Sequence, residues 1–277
     1  MIEKAYGKIN VSIDVTGKRK DGYHDLDMIV VPIDLYDVID IEIAEEESYW
    51  CNDDLPYDDS NIVYRCIELL RKEYGFKEQF SIKITKNIPQ ESGLAGGSAD
   101  GAATLRIINQ LLNLNLSYRQ LGNLGKKVGA DIPFCIYQKT ARVRGIGDIV
   151  ETFDLNADYD VLLIKPEQGV DTKCAFKILN LDKCPHPDID KVKNALVNNE
   201  PLKDVLGNSL LYSAEKLVPE VFQIIEECKE MGYEDVLMTG SGSTVFVLLE
   251  KGQDCKELLE YMQRKYPSVL RTSVITQ

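Results

Sequence analysis

The sequence predicts an α+β fold in two parts, residues 1–154 and 155–277, on three observations. Runs rich in Val and Ile cluster at the start of the chain, helical periodicities follow them, and a polar stretch from Asp154 to Asp160 precedes a second half that repeats the mixture. Segregated strands and helices favour layered sheets over the strict alternation of a parallel doubly wound sheet.

From Lys8 to Ile43 apolar runs alternate with turn chemistry at Gly17, Asp21-Gly22 and Pro32, which predicts several short paired strands. Asp58 to Ser60 offers caps for a helix whose Ile62, Val63, Cys66, Leu69 and Leu70 share one face and which ends near Gly75. Phe80 to Ile84 alternates as a half-buried strand. Ala102, Leu105, Ile108 and Leu112 mark a second helix, and Tyr118 to Val128 a third, closed by Gly129. Beyond the polar stretch come a strand at Tyr159–Lys165 and a loop. Helices follow around Ile189–Asn198, Leu210–Lys216 and Val221–Met231, then strands at Asp235–Met238 and Thr244–Leu249, a helix at Cys255–Tyr266 and a strand at Ser268–Val274. The polar stretch is the predicted domain boundary.

Charge and composition exclude several functions. With 32 Lys plus Arg against 45 Asp plus Glu the net charge is −13, which argues against a nucleic-acid partner, since phosphate-backbone binding needs clustered cations. No apolar run reaches the roughly 18–20 residues that span a bilayer, so no membrane partner is expected. Met1 to Ala5 lacks the basic start and apolar core of a signal peptide, which leads to a cytoplasmic expectation. Seven scattered cysteines without a C-x-x-C pair, and two histidines, exclude a zinc ribbon or an H-E-x-x-H site and leave metal ligands unassigned. Oligomeric state stays open between monomer and homodimer.

The most informative segment is Ile88-Pro89-Gln90-Glu91-Ser92-Gly93-Leu94-Ala95-Gly96-Gly97-Ser98-Ala99-Asp100, which joins a strand to a helix through three glycines. Glycines turn the backbone sharply and present N–H groups, and the helix start adds unpaired amides and the positive end of its dipole. Ser98 is positioned to cap that helix and touch a ligand at once. The structural alternative is a tight turn with no ligand. No Gly-Lys pair precedes Ser or Thr, so a Walker loop is excluded. Gly145-Ile146-Gly147 lacks the third glycine of a Rossmann fingerprint, and Gly240-Ser241-Gly242 is too short for a nucleophile elbow.

This loop resembles the central motif of the GHMP kinases. Three further segments match in order: Ala5-Tyr6-Gly7-Lys8-Ile9-Asn10-Val11, Gly129-Ala130-Asp131-Ile132-Pro133-Phe134-Cys135, and Met238-Thr239-Gly240-Ser241-Gly242-Ser243-Thr244-Val245-Phe246. Within that superfamily, Lys8-Ile9-Asn10, Asp21-Gly22-Tyr23-His24 and the Gly93-to-Ser98 form are similar to the branch acting on a CDP-linked methylerythritol. The resemblance implies a ribosomal S5 domain 2-like N-terminal domain, a ferredoxin-like C-terminal sandwich, and an active site between them. It implies transfer of the ATP γ-phosphoryl group to the 2-hydroxyl of CDP-methylerythritol, with Mg²⁺.

By the same resemblance Asp131 accepts or orients the hydroxyl proton, Lys8 supports it, and Asn10 holds the methylerythritol hydroxyls. Tyr23 and Phe176 sandwich the cytosine, and His24 bonds its edge. Asn61 and Ile62 line the purine pocket. Pro89, Gly93, Leu94, Ala95, Gly96, Gly97, Ser98 and Ala99 wrap the phosphates, while Gly240 and Ser241, with Gly242, close the cleft on the substrate. Position alone offers plainer readings: Asp131 capping a turn, Lys8 solvated on a strand, Tyr23 and His24 at the surface, Asn61 capping a helix, and Gly240 to Gly242 as a bare turn. Departures from the pattern are Glu91 and Ser92 before the first loop glycine, Ala99-Asp100 after Ser98, Gly101 in the helix, Ile146 for a common arginine, and Ser209 after Asn208. Two other readings remain beside the leading one: a GHMP kinase of the mevalonate or homoserine type, which has no cytosine to stack, and a catalytically weak nucleotide-binding paralogue.

Overall fold

The computed structural model describes residues 1–276; Gln277, the end of the second expected part, lies outside them. The chain begins with two long antiparallel strands, β1 (Ile2–Lys18) and β2 (His24–Ala44), in place of several short ones. Of the expected turns only Asp21-Gly22 is one; Gly17 and Pro32 lie inside strands. Gly17 falls at a register shift of the hairpin. Pro32 is tolerated because β2 pairs on its other edge over Leu26–Val30 and again over Val38–Ala44, and the proline falls in the gap, where no N–H is required.

Next come β3 (Ser48–Cys51), α1 (Ile62–Tyr74), β4 (Gln79–Thr85), α2 (Gly96–Leu111), α3 (Tyr118–Gly125), α4 (Ile132–Tyr137), β5 (Ala141–Gly145) and β6 (Ile149–Thr152). The second half holds β7 (Tyr159–Lys165), α5 (Thr172–Ile178), α6 (Ile189–Asn198), α7 (Leu211–Leu217), α8 (Glu220–Glu230), β8 (Val236–Met238), β9 (Val245–Glu250), α9 (Lys256–Gln263) and β10 (Ser268–Ser273). The first sheet runs β3-β4-β2-β5-β6 with β1 paired to β2, and the second runs β10-β7-β9-β8. The architecture is α+β. Four short elements, β3, α4, β5 and β6, and the seven-residue α5 escape sequence reading, because they are too short to show a period. α1 is capped by Asn61 rather than by Asp58 to Ser60, its Oδ1 accepting from the Val63 N–H at 2.9 Å.

Strand alternation explains how the sheets meet. In β7, Val161 and Leu163 face one apolar cluster while Leu162 and Ile164 face another, and in β9 Phe246 and Leu248 alternate likewise with Val245, Val247 and Leu249. These strands are buried on both faces, hence their unbroken apolar runs. One of the two clusters joins Ile9, Val11, Ile29 and Val31 of the long hairpin to Val161, Leu163, Phe246 and Leu248 of the second sheet. Each such fully buried side chain contributes about 1.5–3 kcal/mol.

In β1, a register shift between Asn10 and Ser12 changes the face that odd-numbered residues present: Ile9 and Val11 pack between the sheets, Ile13 and Val15 in the other cluster. Lys8 and Asn10, on the face opposite Ile9 and Val11, border an open cleft.

Candidate active site

The cleft encloses about 430 Å³ and takes its walls from both halves of the chain. Lys8 and Asn10 of β1, the 88–100 segment and Asp131 stand on one side; Thr172, Phe176, Gly240 and Ser241 stand on the other.

α2 begins at Gly96, two residues before the capping position expected for Ser98. Its N-cap is Ala95, at φ 58° and without a capping side chain, so Ser98 lies inside the first turn. The Ala99 N–H already bonds the Ala95 carbonyl at 2.9 Å, leaving the Gly96, Gly97 and Ser98 amides without an intrahelical partner. A helix start of this kind takes anions readily. The approach to it is left-handed at Glu91 (φ 49°), Gly93 (φ 74°) and Ala95, strain of the sort that persists at ligand-binding loops. A Cβ on Gly93 would stand 2.8 Å from the Thr239 carbonyl oxygen, so only glycine lets this loop touch the motif from the second half.

Lys8 is not a solvated strand residue: it is 4 % exposed, and its Nζ donates to Asn10 Oδ1 at 2.6 Å and to the Gly93 carbonyl at 2.8 Å. Asp131 Oδ2 stands 3.9 Å from that Nζ, and Asp131 makes no capping bond at the start of α4, so its carboxylate is available to the cleft. The Asn10 side chain bonds Lys8 through its oxygen and Met28 Sδ through its nitrogen at 3.1 Å, and its N–H donates to Thr239 Oγ1 at 2.8 Å. Across the cleft Ser241 Oγ and Thr172 Oγ1 share a hydrogen bond of 2.8 Å.

At the other end Asn61 and Ile62 line the wall. Asn61 is both cap and lining residue, and its amide nitrogen is spent on the Pro56 carbonyl at 2.9 Å and Tyr49 Oη at 3.2 Å. Pro89 lines the cleft, its carbonyl accepting from Ser92 Oγ. Two loop residues do not border the cleft: Leu94, 1 % exposed, packs between the sheets and only its carbonyl reaches inward, to the Lys8 N–H, while Ala99 is buried in the core. Their apolar side chains anchor the loop. Gly101 is explained by packing, since a Cβ there would meet Ile62 Cγ2 at 2.6 Å where α1 crosses α2.

The base end differs from the expected sandwich. Neither Tyr23, which is 60 % exposed, nor His24 is among the cleft's lining residues; the His24 ring instead stacks on the lining residue Phe176 with centroids 5.0 Å apart and 27° between planes. A third ring between them would need about 7 Å, two van der Waals contacts in series. Burial, then the Lys18 charge, holds the His24 imidazole below its usual value, so the ring is neutral at neutral pH.

A buried cluster in the cleft wall, lined in part by Lys86 and Asp100, is not visible in the sequence. Lys86 forms ion pairs with Asp37 and, at 2.6 Å, with Asp100 in the first turns of α2. Asp37 also accepts from the N–H groups of Asn87 at 2.5 Å and Ile88 at 2.8 Å. The only hint was the chemistry of Asp100 beside Ser98. Burial pushes the Asp100 carboxyl up to about 7, with Lys86 pulling it down and Asp37 adding to the rise. Between pH 4 and 7 the folded chain therefore holds a proton that the unfolded chain, with an ordinary aspartate at 3.8, has released. Stability from this group falls as pH rises through that range. Urea unfolding across that range should show Asp100→Asn flattening the slope; an unchanged slope removes Asp100 as its source.

Among the described residues no group of three or more His, Cys, Asp or Glu side chains forms a metal site, and no helix is long and apolar enough to cross a membrane.

Comparison with known proteins follows this geometry. Residues 61–139 match the GHMP kinases N terminal domain and residues 181–268 the GHMP kinases C terminal domain. A 4-diphosphocytidyl-2-C-methyl-D-erythritol kinase of Bacillus subtilis (strain 168) is 42 % identical over 255 residues, covering 90 % of this chain and 88 % of the relative. The chain belongs to the GHMP kinase family. It is a small-molecule kinase, on the branch of that relative. One from Clostridium beijerinckii is 38 % identical over 281 aligned positions, covering 98 % of this chain and 99 % of the relative. A crystal structure of 4-(cytidine 5'-diphospho)-2C-methyl-D-erythritol kinase superposes with a TM-score of 0.84 at 27 % identity over 99 % of both chains. A mevalonate kinase structure, at 18 % identity and TM-score 0.74 over the full length of both, shares the GHMP fold.

Proposed function

We propose that this GHMP kinase transfers the γ-phosphoryl group of ATP to the 2-hydroxyl of 4-diphosphocytidyl-2-C-methyl-D-erythritol, in the non-mevalonate route to isoprenoid precursors. The observation that carries the proposal is the meeting, in one cleft, of the Asp131 carboxylate, the buried Lys8 ammonium 3.9 Å away, and the start of α2 with its unpartnered amides. Phosphoryl transfer runs through a loose transition state, so catalysis consists of positioning and charge stabilisation. The hydroxyl oxygen bonds the γ-phosphorus, the bond to the β,γ-bridging oxygen breaks, ADP leaves, and the hydroxyl proton passes to Asp131. Lys8 stabilises the charge on the moving group. The Gly96, Gly97 and Ser98 amides hold the nucleotide phosphates, and Asn61 and Ile62 flank the purine.

Mg²⁺ takes oxygen ligands and keeps to one or two protein groups when phosphates supply the rest. Ser98 Oγ is an oxygen donor bordering the cleft and suits that set, with phosphate oxygens and water supplying the rest. Mg²⁺ would neutralise phosphate charge in a chain of net charge −13. His24 and Phe176 would part to admit the cytosine, with Tyr23 closing over it from the hairpin turn; base stacking of this kind contributes about 1–3 kcal/mol. The chain divides near Asp154, and a kinase of ATP and a phosphorylated metabolite works in the cytoplasm.

The test is ADP release with CDP-methylerythritol, mevalonate, homoserine and galactose offered separately. Turnover is expected only with the first. Turnover with mevalonate or homoserine alone overturns the substrate assignment, and ATP binding without turnover of any identifies a nucleotide-binding paralogue.

A further inference from the structure

The segment 207–209 is stitched to the middle of β1, at Ser12 and Ile13, shortly after Lys8 and Asn10. The Gly207 carbonyl accepts from the Ile13 N–H at 2.9 Å and from Ser12 Oγ at 2.6 Å, and the Ser209 N–H donates to the Ile13 carbonyl at 3.0 Å. Between them Asn208 is completely buried. Its side-chain nitrogen donates to the Met238 carbonyl and to the Gly240 carbonyl, each at 2.9 Å, and its oxygen accepts from the Leu210 N–H at 2.9 Å. Both of its amide hydrogens are thus committed to two backbone oxygens of a single loop.

That loop faces the proposed catalytic groups. A Cβ placed on Gly240 would lie 3.4 Å from Lys8 Nζ and 3.5 Å from Asn10 Oδ1, so the backbone at Gly240 forms the wall against which those two side chains sit. A second tie, from the Asn10 N–H to Thr239 Oγ1, holds the same loop from the other side. With its carbonyl turned back onto Asn208, Gly240 presents no oxygen to the Lys8 ammonium, whose bonds go to Asn10 and Gly93. Freed of Asn208, that carbonyl is an unpaired acceptor on a residue whose Cβ position stands 3.4 Å from the buried Lys8 Nζ, and a buried unpaired acceptor finds a donor or costs about 1–3 kcal/mol. Lys8 is a donor beside that residue and is the group that the reaction needs in place.

We propose that Asn208 is a positioning residue for phosphoryl transfer: it touches neither substrate nor nucleotide, but by holding the Gly240 carbonyl away from Lys8 it keeps the ammonium aligned with Asp131 and the reacting hydroxyl. The inference rests on the role given to Lys8 and Asp131 above. Displacement of a reacting group by about 1 Å costs roughly a hundredfold in rate without altering how tightly remote parts of a ligand bind.

The test is steady-state kinetics of Asn208→Asp, which keeps the shape and replaces the donating nitrogen by an acceptor. Turnover is expected to fall by roughly tenfold to a hundredfold while the KM for ATP stays within about threefold, the split that marks an interaction made in the transition state. Asn208→Ser, which keeps one donor, should recover part of the loss. Unchanged kcat per folded molecule, or an equal worsening of ATP KM with no kcat effect, overturns the proposal. Should Asn208→Asp not fold, Thr239→Val, which removes only the second tie of the same loop, gives the same readout, and unaltered kcat there overturns the claim that the loop's placement sets the rate. Failure of this inference alone leaves Asp131→Ala inactive; failure of the underlying reading leaves Asp131→Ala active.

Discussion

Asp131→Ala should lower turnover by roughly a hundredfold to ten-thousandfold, the range over which a positioned general base contributes, while nucleotide affinity stays within a few-fold. The carboxylate has no structural duty that would confuse the result. It makes no capping hydrogen bond to α4, its side chain is 39 % exposed, and its one ion pair among the described residues is with Lys8. The nucleotide contacts proposed above come from the start of α2 and from the purine wall at Asn61 and Ile62, so binding is expected to survive. Asp131→Asn, which keeps volume and loses the proton acceptor, should match the alanine variant in turnover. Kinetics with CDP-methylerythritol, paired with titration of ATP onto the same preparations, measures both quantities. Near-normal turnover in either variant would remove Asp131 from the chemistry.

Lys8→Met should produce the second large effect, and on two observables. The methionine fills the space of the aliphatic stem, but the Gly93 carbonyl and Asn10 Oδ1 lose their donor in a buried site. Each orphaned acceptor costs about 1–3 kcal/mol, visible as a lower urea midpoint. Turnover per folded molecule should fall by about two to three orders of magnitude, as when a preorganised charge aimed at a developing anion is deleted. The two readouts separate the roles of this residue. A lower midpoint with unaltered turnover would make Lys8 a strut between β1 and the glycine loop and nothing more.

The prominence of Lys8 could be read in the sequence only through the joint pattern of four motifs, because a single lysine on a strand carries no local sign of burial. The same holds for Asp131. By contrast, the long helices and strands declare themselves by period: α1 through Ile62, Val63, Cys66, Leu69 and Leu70, and β7 and β9 through unbroken apolar runs. The glycine loop was legible as a phosphate-type turn, although the start of α2 at Gly96 was not, since Ala95 holds a left-handed conformation that its residue type does not announce. The early strands run longer than the sequence predicts, because Gly17 and Pro32, turn residues by type, lie inside β1 and β2. A proline inside a strand is harmless only where the neighbouring strand ends, a fact about pairing and not about proline.

What the sequence by itself determined is the α+β composition, the element periods, the family, and the residue types able to move a phosphoryl group, because these depend on local spacing and on motif order. Only the tertiary structure decided which of those residues share a cleft. It brought Lys8 from β1, the amides of α2 and the carboxylate before α4 together, stacked His24 on Phe176 with Tyr23 left outside, and buried Lys86 between Asp37 and Asp100. The reason is distance along the chain. Asn208 reaches Gly240 across 32 residues, and Asn10 reaches Thr239 across 229, by hydrogen bonds whose partners have no periodic relation in sequence. Their geometry comes from the packing of one sheet on another, which fixes such groups to within tenths of an ångström only after the core has closed.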